Sequence, residues 1–226
     1  MNRKRYTLAD YNKNEATEDE IQFFIVYEGE IKEPKYFETF NNEFSTGRRA
    51  CIFHILEKDT NILGSQPKKL VERVKEFKKN TPNNLFISDY DKIRFVLDVD
   101  THPTEQYPEL KKYCESLIDA ELFISNYCFE VWLWFHLDEQ ENIKSKTSKE
   151  MKKELGKKHT QSKIKNYPKG YLTIECISKA IERAEKADLN KNHYFPAEKS
   201  TKVYLLMQEL LKYYLLNNSV KDAEIL

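Results

Sequence analysis

Phe23-Phe24-Ile25-Val26-Tyr27-Glu28-Gly29-Glu30 and Arg94-Phe95-Val96-Leu97-Asp98-Val99-Asp100 share one pattern: an apolar run that stops on carboxylates. Unbroken apolar runs of this length read as strands buried on both faces, the kind found in parallel sheets. In open α/β sheets, ligands gather at the carboxyl ends of the strands. Carboxylates clustered there are costly to bury unless positive charge compensates them, and a divalent cation is the usual compensation. The two stretches therefore point to a parallel sheet with a metal site at its edge, and to an enzyme.

The segments between and beyond them fit that sheet. Residues 1–20 read as a polar arm, basic and then acidic, followed by a first strand over 22–28. Pro34 opens a helix through Phe40, with the proline in a tolerated first-turn position. Ala50 to Leu56 reads as a second strand. Ser65 is the expected N-cap of a helix whose Leu70, Val71, Val74 and Phe77 follow helical spacing. A third strand covers Ile93 to Asp98, a helix Pro108 to Ile118, and a fourth strand Glu121 to Asn126. This β-α-β-α-β-α-β order predicts a mostly parallel sheet flanked by helices. Phe129 to Leu137 is apolar nearly all round, so a buried helix is expected there. Two amphipathic helices close the chain, over about Ile174–Leu189 and Ser200–Leu216. The expected organisation is an arm (1–20), an α/β core (21–140) and a basic segment with C-terminal helices (141–226) packed on that core as one unit.

Composition narrows the classes. The chain has 226 residues, 40% hydrophobic and 33% charged, which suits a globular core rather than a disordered chain. No stretch approaches the length of a bilayer span, and the basic N-terminus lacks an apolar signal core. Cys51, Cys114, Cys128 and Cys176 are scattered without metal-ligand or redox spacing. Reduced thiols in a cytoplasmic protein are expected, with no structural zinc. The 37 basic and 37 acidic residues cancel, so the distribution matters more than the total. Residues 144–169 hold ten Lys against two Glu. Such a block suits a polyanion partner, or else a solvated lysine-rich helix and loop.

Within this frame Asp98 and Asp100, two apart, can converge on one cation, and Glu28 ends another strand at the same edge. Gly29 permits close backbone approach there. Three carboxylates could hold Mg²⁺ or Mn²⁺ with open positions for water and phosphate oxygens, or Glu28 could serve as general acid or base. Glu130, inside the apolar helix, is either a paired buried acid or a further site carboxylate. His136 reads as a core histidine in preference to a ligand. Gly-x-Ser-x-Gly, P-loop, Gly-x-Gly-x-x-Gly and His-Glu-x-x-His motifs are all absent, which removes ATP and nicotinamide chemistry from the chain itself.

Three segments together carry a resemblance: Ile25-Val26-Tyr27-Glu28-Gly29-Glu30-Ile31-Lys32-Glu33-Pro34-Lys35-Tyr36-Phe37, Phe95-Val96-Leu97-Asp98-Val99-Asp100, and Ser125-Asn126-Tyr127-Cys128-Phe129-Glu130-Val131-Trp132-Leu133. They resemble the RloB-like family, whose members lie near restriction systems and other phage-defence loci. Ser200-Thr201-Lys202-Val203-Tyr204 is similar to the family's closing segment, so the resemblance spans about residues 22 to 216. It implies a Toprim-type fold, shared with topoisomerases, primases and OLD nucleases. It implies Glu28 as general acid/base and possible metal ligand, Asp98 and Asp100 as Mg²⁺ or Mn²⁺ ligands, and Glu130 as a group that completes or orients the site.

The expected activity is metal-dependent phosphodiester cleavage of DNA or RNA, tRNA included, in anti-phage defence. Lys32, Lys152, Lys153, Lys157, Lys158, Lys163 and Lys165 are the expected backbone-binding lysines. The alternative is a non-catalytic nucleic-acid-binding or regulatory subunit. A separate ATPase or another defence subunit is an expected partner, and a homo-oligomer is compatible with either reading. Strand transfer of the topoisomerase kind would need an active-site tyrosine, and no tyrosine context identifies one.

Overall fold

The computed structural model describes residues 21–44, 51–56, 67–80, 91–99, 105–117, 119–162 and 167–223. Its first four strands are β1 (Ile21–Tyr27), β2 (Cys51–Leu56), β3 (Lys92–Asp98) and β4 (Ala120–Asn126). They are mutually parallel and lie in the order β2-β1-β3-β4. Helices α1 (Lys32–Phe44), α2 (Pro67–Asn80) and α3 (Gln106–Glu115) connect them. From β1 the chain turns to one neighbour, β2, and then returns to the other side for β3. The connections therefore diverge between β1 and β3, and open α/β sheets bind ligands at the carboxyl ends beside such a switch point.

Alternation along the strands builds two cores. Phe24 and Val26 of β1, Phe95 and Leu97 of β3, and Leu122 and Ile124 of β4 pack under α2 and α3 with Leu70, Val74, Tyr107 and Leu110. Phe23, Ile25 and Tyr27, with Val96 and Phe123, face the opposite layer. That layer holds α1, α4 (Glu130–Phe135), α5 (Ser148–Gln161), α6 (Ile174–Ala187) and α7 (Val203–Ala223). Every residue of α4 is buried, as its apolar composition requires. No described helix is long and apolar enough to cross a membrane.

Two element boundaries differ from expectation. Helix α1 begins at Lys32 rather than Pro34. The proline is still tolerated because first-turn N–H groups have no intrahelical acceptor. Ser200 and Thr201 do not start the last helix. They form β5, which pairs antiparallel with Asn126 and Ser125 at the sheet edge. Ser125 Oγ and Thr201 Oγ1 lie 2.8 Å apart, and Lys202 N–H donates to Ile124 O at 2.8 Å. The segment also supplies a buried ion pair, with Lys202 Nζ donating to Asp188 Oδ2 at 2.5 Å and to Asn190 O at 2.8 Å. Tyr204 OH donates to the same Asp188 oxygen at 2.9 Å. The Ser-Thr-x-Val-Tyr segment thus closes the sheet and locks α6 to α7.

At the other end of β3, Arg94 is 1% exposed yet fully partnered. Its Nε and Nη2 each donate to Glu209 at 2.8 Å, and Nη1 donates to Asp119 Oδ1 at 2.8 Å. This bidentate pair pins α7 across the amino ends of the strands, leaving the carboxyl ends for the acidic groups.

Candidate functional site

Parallel register fixes the first contact of the site. Tyr27 lies opposite Val96, and Glu28 N–H continues the ladder by donating to Val96 O at 3.2 Å. That places Glu28 next to the end of β3, where its Oε2 accepts the Asp98 N–H at 3.2 Å. Tyr107 of α3, wholly buried, donates to Asp98 O at 2.6 Å and holds the strand end in place. Both acids are almost enclosed, Glu28 at 8% and Asp98 at 9% exposure. Asp98 Oδ1 is buried with no hydrogen-bond partner.

A third acid comes from α1. Gly29 is followed directly by the turn into that helix, and Glu33 in its first turn folds back over the glycine. A Cβ on Gly29 would collide with the Glu33 carboxyl group. The bare glycine is therefore what allows this acid to sit where it does. Burial pushes the Glu33 carboxyl up to about 7; a backbone hydrogen bond opposes this, while repulsion from Glu130 and Glu28 adds to it. Asp98 is pushed well above the usual carboxylate range, first by burial and then by Glu33, Glu28 and Glu130. Lys152 of α5 acts in the opposite direction on both.

Glu130, the fourth acid, opens α4 and forms an ion pair with Lys32 Nζ at 2.9 Å. It is paired, as the structural reading of a buried acid requires, and it also adds to the repulsion on Asp98 and Glu33. Cys128 lies beside Glu130 and Asp98, and burial and these acids hold its thiol far above the usual range. It is no thiolate nucleophile.

Of the expected site residues, Glu28 and Asp98 are in direct contact, and Glu130 is near enough to act electrostatically on Asp98. Asp100, Lys163 and Lys165 lie outside the described residues, as do the N-terminal arm and Ser65. Lys32 is committed to Glu130. Lys152, Lys153 and Lys157 lie on the exposed side of α5, whose Met151 and Leu155 face the core. Lys158 is tied inward by an ion pair to Asp138, and its ammonium stands 5.5 Å from the Trp134 ring centre. His136 is a core residue. Its Nε2 lies 3.2 Å from Tyr36 OH, and burial first and Arg183 second push it down to about 3.

Two contributors were not expected. Glu33 gives a faint signal, since it stands one helical turn beyond Gly29. Arg73 lies on the same helical stripe as Leu70, Val74 and Phe77, so a charge on an apolar face was the available clue. Its Nη1 donates to the carbonyl of Tyr27, the residue before Glu28, at 2.8 Å.

The donor set consists of carboxylate oxygens, which suits a hard divalent cation such as Mg²⁺ or Mn²⁺. The unpartnered Asp98 oxygen and the mutual repulsion of four acids fit the same ion. Among the described residues, however, no three Asp, Glu, His or Cys side chains are drawn close enough to coordinate one ion together.

A family model described as RloB-like protein matches residues 23–210. No curated protein and no solved structure matches the chain. The matched span runs from β1 into α7 and includes Glu28, Glu33, Asp98 and Glu130, so the chain belongs to the RloB-like family.

Proposed function

We propose that this chain is a metal-dependent phosphodiesterase of Toprim type that cleaves nucleic acid in phage defence. One observation carries the reading. Four acids act on one another electrostatically around the β1/β3 switch point, and Asp98 is buried there with an oxygen that has no partner. Such a cluster is unfavourable unless a cation neutralises it.

Glu28 and Asp98, with Asp100 two positions further along the chain, are the residues that would hold Mg²⁺ or Mn²⁺. The bound ion would supply Lewis-acid stabilisation of phosphate charge and a more acidic water. The chain's own groups supply the rest. The Glu33 carboxyl, at about 7, is suited to exchanging a proton near neutral pH. The Lys32–Glu130 pair fixes the entry of α1 against α4 and so holds Glu33 over Gly29. Lys152, Lys153 and Lys157 offer exposed positive charge for the backbone of DNA or RNA, and Lys152 is near enough to act electrostatically on Asp98. Phosphate contacts of this kind position a strand without reading its sequence.

The binding-subunit reading draws on a separate observation: no three-ligand group is assembled among the described residues. Incubation with plasmid DNA, single-stranded DNA and total tRNA, with Mg²⁺ or Mn²⁺, separates the two. Cleavage by the parent protein, lost in Glu28→Gln and Asp98→Asn, is the expected result. Retention of nucleic acid without cleavage under any metal would leave the binding subunit as the function. Equal cutting by parent and both variants would move the active site elsewhere.

A further inference from the structure

Among the described residues two arginines are buried, and they are treated differently. Arg94 spends its Nε and Nη2 edge on the Glu209 carboxylate and its Nη1 on Asp119. Arg73, at 3% exposure, uses only Nη1, which donates to Tyr27 O at 2.8 Å. Its Nε and Nη2 are buried and have no hydrogen-bond partner. These are the two nitrogens whose N–H bonds run parallel along one edge of the guanidinium, the edge that grips two oxygens of a carboxylate or phosphate. Arg94 shows in the same molecule what this edge does when an oxyanion is available. Buried polar groups are nearly always satisfied, so an unused bidentate edge requires a partner that arrives from outside.

Its location selects the partner. Tyr27 is the last residue of β1, and Glu28 follows it at the switch point between β1 and β3. Glu28 is close enough to act electrostatically on the guanidinium. A site made of four acids repels a phosphodiester, and a fixed cation bound to Tyr27 O beside Glu28 offsets that repulsion. We propose that the Nε/Nη2 edge of Arg73 is an oxyanion fork that receives a phosphate group beside Glu28. This rests on the phosphodiesterase reading for the identity of the ligand, whereas the fork itself rests on the geometry. Both nitrogens are covered in this conformation, so entry of the phosphate displaces the chain that covers them. The role assigned is substrate binding, with Tyr27 O holding the guanidinium at a fixed height relative to Glu28.

The test is calorimetric titration of the full chain with inorganic phosphate and with a 5′-phosphorylated dinucleotide, in the presence of Mg²⁺. Three variants run alongside the parent. Arg73→Lys keeps the charge and lacks the fork, Arg73→Gln lacks both, and Lys179→Ala removes an exposed cation on α6. Thermal melts without phosphate establish that each is folded, and Arg73→Lys decides the matter if Arg73→Gln is not. Phosphate affinity is expected to fall about tenfold or more in Arg73→Lys and to stay unchanged in Lys179→Ala. Unaltered affinity in Arg73→Lys, or no phosphate binding by the parent, overturns the fork. Cleavage assays on the same samples keep the two ideas apart. Phosphate binding that depends on Arg73 in a protein that cuts nothing sinks the phosphodiesterase and leaves the fork. Cleavage by Arg73→Lys with parental kcat, KM and phosphate affinity does the reverse.

Discussion

Lys32 Nζ and Glu130 Oε1 stand 2.9 Å apart, an ion pair that ties the first turn of α1 to the first turn of α4. The glutamate side chain is 6% exposed and the lysine 38%. A half-exposed cation contributes less than a buried one, but its removal strands a buried carboxylate among three other acids.

Lys32→Met is therefore expected to cost about 1–2 kcal/mol, below the figure for a fully buried pair because water still reaches Lys32. Glu130→Gln in that background should recover most of it, since the stranded charge is then gone. Urea denaturation of both single variants and the double variant measures the coupling. Simple additivity would show that the pair does not act as a unit.

Gly29 and Glu33 make a second coupled pair. A methyl group on Gly29 would collide with the Glu33 carboxyl, which is the far end of a flexible side chain and can swing away. Expelling a buried acid relieves repulsion, so Gly29→Ala should change stability by less than about 1 kcal/mol. Its effect belongs to the site: cleavage should fall as in Glu33→Ala, and adding Gly29→Ala to Glu33→Ala should do nothing more. A further loss in the double variant would mean that the glycine serves some other contact.

These residues show what could be read from the sequence and what could not. The apolar runs ending at Glu28 and Asp98 were legible because strands covered on both faces read as near-continuous apolar stretches. Their meeting followed once both were placed on one sheet edge. The strand order that makes this edge a switch point is a matter of tertiary pairing, which local pattern does not encode. Glu33 was hidden for a related reason: its position depends on the empty space over Gly29, and the sequence records only a glycine and a glutamate one turn apart. The Ser200–Thr201 pairing was invisible because two residues carry no periodicity. The lysine block could be counted but not sorted. Lys158 is bound inward to Asp138 while Lys152 is exposed and acts electrostatically on Asp98 and Glu33, and the count of lysines does not separate the two.

Glu33 also makes stability depend on pH and metal together. Its carboxyl is raised from the ordinary 4.5 to about 7, so the fold favours the neutral form. This stabilisation is full below about pH 4.5 and is lost as pH rises through 7. The loss amounts to a few kcal/mol, at roughly 1.4 kcal/mol per pH unit across that window. Without added metal, the melting temperature should drop between pH 6 and 8, and Glu33→Gln should flatten that drop. Mg²⁺ or Mn²⁺ should raise the melting temperature more at pH 8 than at pH 6, because the charged cluster is what a cation stabilises. An equal increment at both pH values would argue against metal binding in the acid cluster.

His136 produces the opposite slope on the acid side. It is 4% exposed, packed against Tyr36, Trp132 and Tyr171, and held neutral, with its charge-accepting range pushed from 6.5 down to about 3. A histidine depressed in the fold takes up its proton only on unfolding. Its contribution is therefore complete above about pH 6.5 and is lost as pH falls toward 3. Linkage puts the loss at about 2 kcal/mol between pH 6.5 and 4.5. Glu33 gains stability over part of that window, so the histidine must be isolated by difference. His136→Gln retains a polar group to meet Tyr36 OH and cannot titrate there. Urea denaturation at pH 4.5 and 6.5 should show a smaller acid loss in His136→Gln than in the parent, by about 2 kcal/mol. Parallel curves for the two proteins would mean that His136 already carries its proton inside the fold.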